Sequence, residues 1–319
     1  MPALCQGPQR HEERGDAMAV RSMGATEWGL LAGLSLIWGS TFFFVEIALR
    51  EVGPLTLVLG RVAMGAAVLW LVVLAIGARR PQGWHDWRDL ALMGLLNNAI
   101  PFCLIFWGQQ HITSGLASIL NATTPIFAIL VAHLLLADER ATPGKAAGVI
   151  FGLAGVALLI GPEALTGLSD GLLGQLAVVG AAVSYAFAGA FGRRLSRFAP
   201  PVAAAGMLTM STAIMLPVAL LAEGAPAALP SLAPLAAWVA LGVAGTGIAY
   251  ILYFRILATA GATNLLLTTF LIPPSAIFLG VVFLDESLAP TALGGLALIF
   301  AGLACVDGRL LRFARRRTA

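Results

Sequence analysis

Arg61 stands apart in this sequence. It is the one basic residue well within an apolar run, in Leu59-Gly60-Arg61-Val62-Ala63-Met64. A cation so placed must find an anion, a polar wall or water, and it can hold a substrate carboxylate. Glu46 closes the preceding apolar run, and its carboxyl can pair with Arg61 or carry a proton. An ion pair is the simplest relation between the two. Carboxylate binding by Arg61 and proton coupling by Glu46 are the alternatives. Pro125 and Pro273 each sit about halfway through an apolar run. Proline removes a backbone N–H and pushes away the carbonyl four residues earlier, here those of Asn121 and Thr269. The neighbouring Asn121, Thr124, Thr268 and Thr269 either satisfy these kinks or line a binding site. Asn97 and Asn98 precede Pro101 by one turn. Adjacent amides face different directions on a helix, so one faces a pocket at most and the other bonds a neighbouring helix. Trp38, Tyr185 and Tyr250 offer aromatic faces for stacking or cation–π contact, or pack as ordinary core.

The elements that must position these residues follow from composition. Of 319 residues, 59% are hydrophobic and 11% charged, against roughly 45–50% and about 25% in soluble domains. So few charges cannot cover a water-soluble surface of this size. The reading is an all-α polytopic membrane protein, since lipid offers no partner to an unpaired backbone group. Ten runs are long enough to span, at about 28–47, 54–76, 90–108, 113–136, 144–161, 173–191, 201–222, 235–255, 261–284 and 289–306. None alternates as barrel strands do.

Charge sets the orientation. With the N-terminus cytoplasmic, seventeen of the nineteen basic residues fall on the cytoplasmic side, among them Arg79, Arg80, Arg193, Arg194 and the tail from Arg309 to Arg317. Arg50 falls outside and Arg61 within a span. This is a strong positive-inside signal for both termini cytoplasmic in the plasma (inner) membrane. The basic tail then reads as a topology signal that touches lipid headgroups, not nucleic acid. The first 27 residues hold no apolar core and do not read as a signal peptide. Cys5, Cys103 and Cys305 lie far apart and imply no disulfide among themselves.

A shift of 147 residues aligns the two halves: Asp138-Glu139 falls on Asp285-Glu286, Pro143 on Pro290, Gly148 on Gly295 and Trp38 on Tyr185. The chain therefore reads as 1–27 polar tail, 28–161 first five-helix repeat, 162–172 external linker, 173–307 second repeat and 308–319 basic tail. Five is odd, so the second repeat enters the membrane inverted, an arrangement that suits secondary transporters. The sequence resembles the EamA-type branch of the drug/metabolite transporter superfamily. The resemblance rests on Trp38-Gly39-Ser40, Gly60-Arg61, the Pro125 region, Asp138-Glu139-Arg140 and Gly148 to Gly155. The second half repeats them as Tyr185-Ala186, Pro273 with Asp285-Glu286-Ser287, and Gly294 to Gly302. Glu46 and the doubled Pro273-Pro274 depart from the family pattern. The resemblance implies ten helices in two inverted repeats and transport of amino acids, their derivatives, sugars or drugs.

The expectation is a carrier for a small molecule by alternating access. It has no catalytic residues, cofactor or metal. A non-transporting receptor or sensor is the alternative, and an intramembrane enzyme a remote one. No nucleotide-binding loop is present, so a gradient would have to drive transport. Gly167-Leu168-Ser169-Asp170-Gly171 lacks the strand–turn–helix setting of a nucleophile elbow. Gly144, Gly148, Gly152 and Gly155, with Gly294, Gly295 and Gly302, form small-residue stripes that permit close helix packing within the monomer or at a homodimer face.

Overall fold

The computed structural model describes residues 23–135, 142–161, 169–226 and 228–307. Asp138-Glu139-Arg140, the basic tail and Cys5 lie outside them. Among the described residues the chain is all helix. In order it forms α1 (Ala25–Ala48), α2 (Pro54–Ala75), α3 (Trp84–Gln109), α4 (Ser114–Leu135), α5 (Pro143–Ile160), α6 (Asp170–Arg197), α7 (Pro200–Ala222) and α8 (Leu232–Ala260). α9 (Thr268–Phe283) and α10 (Pro290–Asp307) follow. α1 to α8 are long and apolar enough to cross a membrane; α9 and α10 are apolar but shorter. Leu71, Leu134, Leu221, Phe278 and Phe283 are exposed on the outside of the bundle. A protein in water rarely presents so continuous an apolar surface, and this is a multi-pass membrane protein.

The structure moves several expected boundaries. α3 starts at Trp84 and not near residue 90, and α8 runs past Arg255 to Ala260. The α3 extension carries charges such as Asp86 and Arg88, which an apolar count leaves out. Four helices also depart from straight α-geometry. α3 widens to a π-turn at Leu95–Ala99, where the Ile100 N–H bonds the Leu95 carbonyl five residues back. Pro101 has no N–H to give, which favours this wider spacing. α8 has a matching π-turn at Val243–Ile248, and the Thr246 hydroxyl donates to Leu241 O at 3.0 Å. α4 is broken into Ser114–Asn121 and Thr124–Leu135. A short turn, Ala262–Leu265, precedes α9.

Close packing fixes the bundle. α5 packs along α10, α2 against α7, α1 against α9, and α3 and α4 against α6. The glycine stripes serve the α5–α10 contact within the monomer. A Cβ on Gly155 would lie 2.8 Å from Gly295 O, and one on Gly302 would lie 2.6 Å from Gly148 O. The glycines of the two N-terminal motifs have similar reasons. A Cβ on Gly39 would collide with Ser275 of α9, and one on Gly60 with the Trp238 ring of α8.

The two ends of the bundle are tied differently. At one end, carboxylates from one half hold helix N-termini of the other. Glu223 accepts from the Leu55 and Thr56 N–H groups at 2.9 and 2.8 Å, at the start of α2. Glu286 accepts from those of Ser114 and Gly115 at 2.8 and 3.1 Å, at the start of α4. Glu51 accepts from the hydroxyl and N–H of Ser231, both at 2.6 Å, just before α8. The Ser231 hydroxyl and N–H hold the Glu51 carboxyl below its ordinary range. Its small contribution is therefore complete at neutral pH and is lost only as acid protonates it. Each carboxylate meets unpaired N–H groups and the positive end of a helix dipole. At the other end Arg197, closing α6, reaches Asp89 at 2.9 Å and Asp86 at 3.2 Å near the start of α3. We call these the capped end and the basic end.

Candidate functional site

Arg61 is buried, at 7% exposure, and its surroundings correct the expected ion pair with Glu46. Its Nε donates to Thr246 Oγ1 at 3.0 Å. Its guanidinium carbon lies 3.9 Å from the centre of the Phe102 ring and 5.6 Å from that of Phe106. Among the described residues no carboxylate pairs with it. The reason is azimuthal. Arg61 and Glu46 approach the same end of the bundle, but Arg61 points between α3 and α8. Glu46, in the last turn of α1, lines a cavity at the capped end with Gln109 and Glu286. A buried Arg costs about 2.5–3.5 kcal/mol on insertion scales. A cation–π contact returns about 0.5–2 kcal/mol and a hydrogen bond to a charged group about 1.5–3 kcal/mol. The cation is thus held by neutral groups, and among the described residues its charge is left without a counter-ion.

Around it the two π-turns bring polar groups together. Asn97, in the first, donates to Tyr250 Oη of α8 at 3.0 Å. Thr246, in the second, is the acceptor for Arg61. Tyr185 of α6 and Tyr250 lie within electrostatic reach of the guanidinium. Asn98 turns the other way, and its Nδ2 donates to Ser211 Oγ of α7 at 3.3 Å. Both amides therefore bond neighbouring helices. Trp38 meets Tyr253 at 5.9 Å between ring centres, and Tyr253 meets Tyr250 at 6.3 Å. This aromatic chain joins α1 to the cluster. Thr246, Phe102 and Tyr253 were not singled out from the sequence. The pattern Gly245-Thr246-Gly247 was the available signal for the first, since small residues flanking a hydroxyl suit a widened turn.

The proline sites differ from expectation. Pro125 does not kink a continuous helix. It occupies the first turn of the second half of α4, where a missing N–H is harmless, and the break lies at Ala122–Thr123. Pro273 and Pro274 stay inside α9, and the break there falls earlier, at Leu266–Leu267. Thr124 donates to Asn121 O at 2.7 Å and Thr268 to Leu265 O at 2.7 Å. Both hydroxyls thus satisfy local carbonyls. Pro274 faces an apolar groove of about 700 Å³ between α1 and α9, on the outside of the bundle. Asn121 keeps a buried Oδ1 with no hydrogen-bond partner. The structure gives Thr269 no such role. The first half of α4 does pack on α9, so the two broken helices are neighbours. Cys103 and Cys305 are free thiols.

A polytopic bundle with π-turns, two discontinuous helices and an unneutralised internal cation is the anatomy of a membrane transporter. Comparison with known proteins gives the same class. The EamA-like transporter family matches residues 27–161 and again 172–306. The chain belongs to that family, within the drug/metabolite transporter superfamily. It is 28% identical to a probable terminal-alkyne amino-acid exporter of Streptantibioticus cattleyicolor, over 92% of this chain and 96% of that protein. It is 26% identical to the uncharacterized transporter YoaV of Bacillus subtilis, over 86% and 94%. It is also 26% identical to the uncharacterized inner membrane transporter YedA of Escherichia coli, over 89% and 92%. One solved crystal structure superposes with a TM-score of 0.65 at 25% identity, covering 93% of this chain and all of that one.

Proposed function

We propose that the protein is a secondary transporter that exports or exchanges a small metabolite by alternating access. The substrate class is an amino acid, an amino-acid derivative or a drug-like amphipath. One observation carries the reading. The polar cluster is built across the two matched segments, with Arg61 and Asn97 from the first bonded to Thr246 and Tyr250 from the second. A site shared by two halves is released and remade when they rock against each other. The unneutralised guanidinium suits a substrate carboxylate, since a planar fork of donors matches it in two bonds. Trp38, Tyr185 and Tyr250 then offer faces to the rest of the molecule. In this reading ten spans form two inverted repeats, both termini are cytoplasmic and the membrane is the plasma (inner) membrane. The carboxylate caps and the Arg197 pair support the alternation. They join only connections that ten crossings put on one side. The amino-acid exporter of Streptantibioticus supports the substrate class.

The test is a ligand-stabilisation screen of the purified protein against amino acids, their derivatives and common drugs, repeated on Asn121→Ala. The Asn121 acceptor has no partner to lose, so its removal leaves the unfolding temperature within about 2 °C. Transport of whichever compound stabilises the wild type is expected to fall several-fold, measured by flux into proteoliposomes. Equal flux for Asn121→Ala would remove the α4 break from the substrate path.

A further inference from the structure

The cavity at the capped end holds about 570 Å³ and is lined from both halves of the chain. Its polar wall is unusual because its acceptors are unspent. Glu46 Oε2, Gln109 Oε1 and Gln175 Oε1 are buried with no hydrogen-bond partner among the described residues. Gln109 and Gln175 are only 3% and 6% exposed. The Gln109 amide is fixed, because its Nε2 donates to Phe42 O at 2.9 Å, and a flip would lose that bond. Glu286 also lines the cavity, but both its oxygens are committed to the start of α4. Glu46 therefore keeps one buried oxygen unspent beside two glutamine carbonyls, while its carboxyl also interacts with the Gln109 amide and with Arg50.

We infer that this cavity is a binding site for a primary ammonium group carried by a small organic molecule with an apolar body. An ammonium has three N–H donors and no acceptor. The wall presents three unsatisfied acceptors, one of them a carboxylate. Buried polar groups in native proteins are nearly always satisfied, so a donor-rich occupant completes this wall. A bare metal cation would also accept oxygen ligands, but the volume falls within the range of small-molecule pockets. Leu116, Leu159 and Leu288 give the rest of such a molecule an apolar surface. Arg50, also on the wall, offers a donor to a carboxylate if the molecule is an amino acid. The site lies at the capped end and not at the Arg61 cluster. Its meaning as a point of access or release rests on the transport reading, but binding itself does not.

The experiment measures binding to the detergent-purified full chain by calorimetry and by the shift in unfolding temperature. The probes share one skeleton: leucine, isoamylamine with the amine alone and isocaproate with the carboxylate alone. Sodium chloride against N-methylglucamine chloride tests an inorganic ion. Isoamylamine and leucine are expected to bind in a way that depends on Glu46, and any binding of isocaproate, through Arg61, is expected to be unchanged in Glu46→Gln. Glu46→Gln is expected to weaken the amine by about ten-fold or more, as loss of a charge-assisted bond implies. Gln175→Leu, which leaves Glu46 in place, is expected to weaken it several-fold and serves as the readout if Glu46→Gln does not fold. The proposal is overturned if no amine binds the wild type or if isocaproate binds as well as isoamylamine and loses that binding in Glu46→Gln. It is also overturned if the folded variants keep wild-type affinity, or if sodium alone gives the Glu46-dependent shift. Because binding is read without flux, a protein that binds amines but carries none across a membrane would contradict transport and leave this site standing.

Discussion

Arg61→Gln is expected to lower transport by about 100-fold while leaving the protein folded. The substitution keeps a side-chain amide that can still donate to Thr246 Oγ1. It loses the charge and the contact with the Phe102 ring. Insertion scales put the gain from removing the buried cation at about 2.5–3.5 kcal/mol, and the lost cation–π contact costs about 0.5–2 kcal/mol. Stability therefore stays level or rises. A substrate carboxylate, by contrast, would lose a charge-assisted interaction worth about 1.5–3 kcal/mol, or roughly 10- to 150-fold in affinity. Arg61→Lys keeps the charge but not the planar fork, so it should fall between the two. Melting curves and initial rates on the same preparations give both readouts. Wild-type flux in a folded Arg61→Gln protein would remove Arg61 from the mechanism.

Gly302→Leu is expected to have the largest effect on the fold. The position faces the backbone of α5, where even a Cβ would lie 2.6 Å from Gly148 O and 3.0 Å from Gly152 N. Neither neighbour is a flexible side-chain tip. The whole helix must move, and overpacking of this kind costs about 1–3 kcal/mol or more. The expected outcome is a lower unfolding temperature and loss of monodispersity on gel filtration. Gly189→Ala in α6 is the contrast, since nothing lies within 4 Å of its Cβ position. There the gain in helix propensity, about 0.5–1 kcal/mol, should leave the protein as stable or more so. Equal behaviour of the two variants would contradict the tight α5–α10 contact.

The helices and the glycine stripes were legible because both depend on local composition: an apolar run long enough to span, and small residues one turn apart. Of Asn97 and Asn98, one was legible as a bond to a neighbouring helix and the other was left to a pocket; in the structure both bond across helices. Arg61 shows where legibility stopped. Its depth could be counted along the chain, and depth alone suggested Glu46. Its partner was decided by the direction in which the side chain leaves α2, and an all-apolar helix surface carries no mark of that direction. Phe102, Thr246 and Tyr253 were hidden for the same reason. Glu286 was read as the repeat mate of Glu139 and as part of a family motif. Its place as a cap on α4 requires knowing that two distant connections share one end of the bundle. Pro125 looked like a kink from sequence because a proline in mid-run and a proline in the first turn of a new helix differ only by where the preceding helix stops.

The central claim, a carrier that exposes one shared site to each side in turn, is tested most directly by counterflow. Proteoliposomes are loaded with a high concentration of an amino acid that stabilises the purified protein, and a trace of the same labelled compound is added outside. A carrier working by alternating access exchanges internal substrate for external label, so a transient accumulation of label above its outside concentration is expected. It should saturate with internal substrate and be absent in Arg61→Gln. A channel gives simple equilibration without overshoot, and a receptor gives no uptake above empty liposomes. Either result, from protein that still responds to the ligand in its melting curve, would contradict the account.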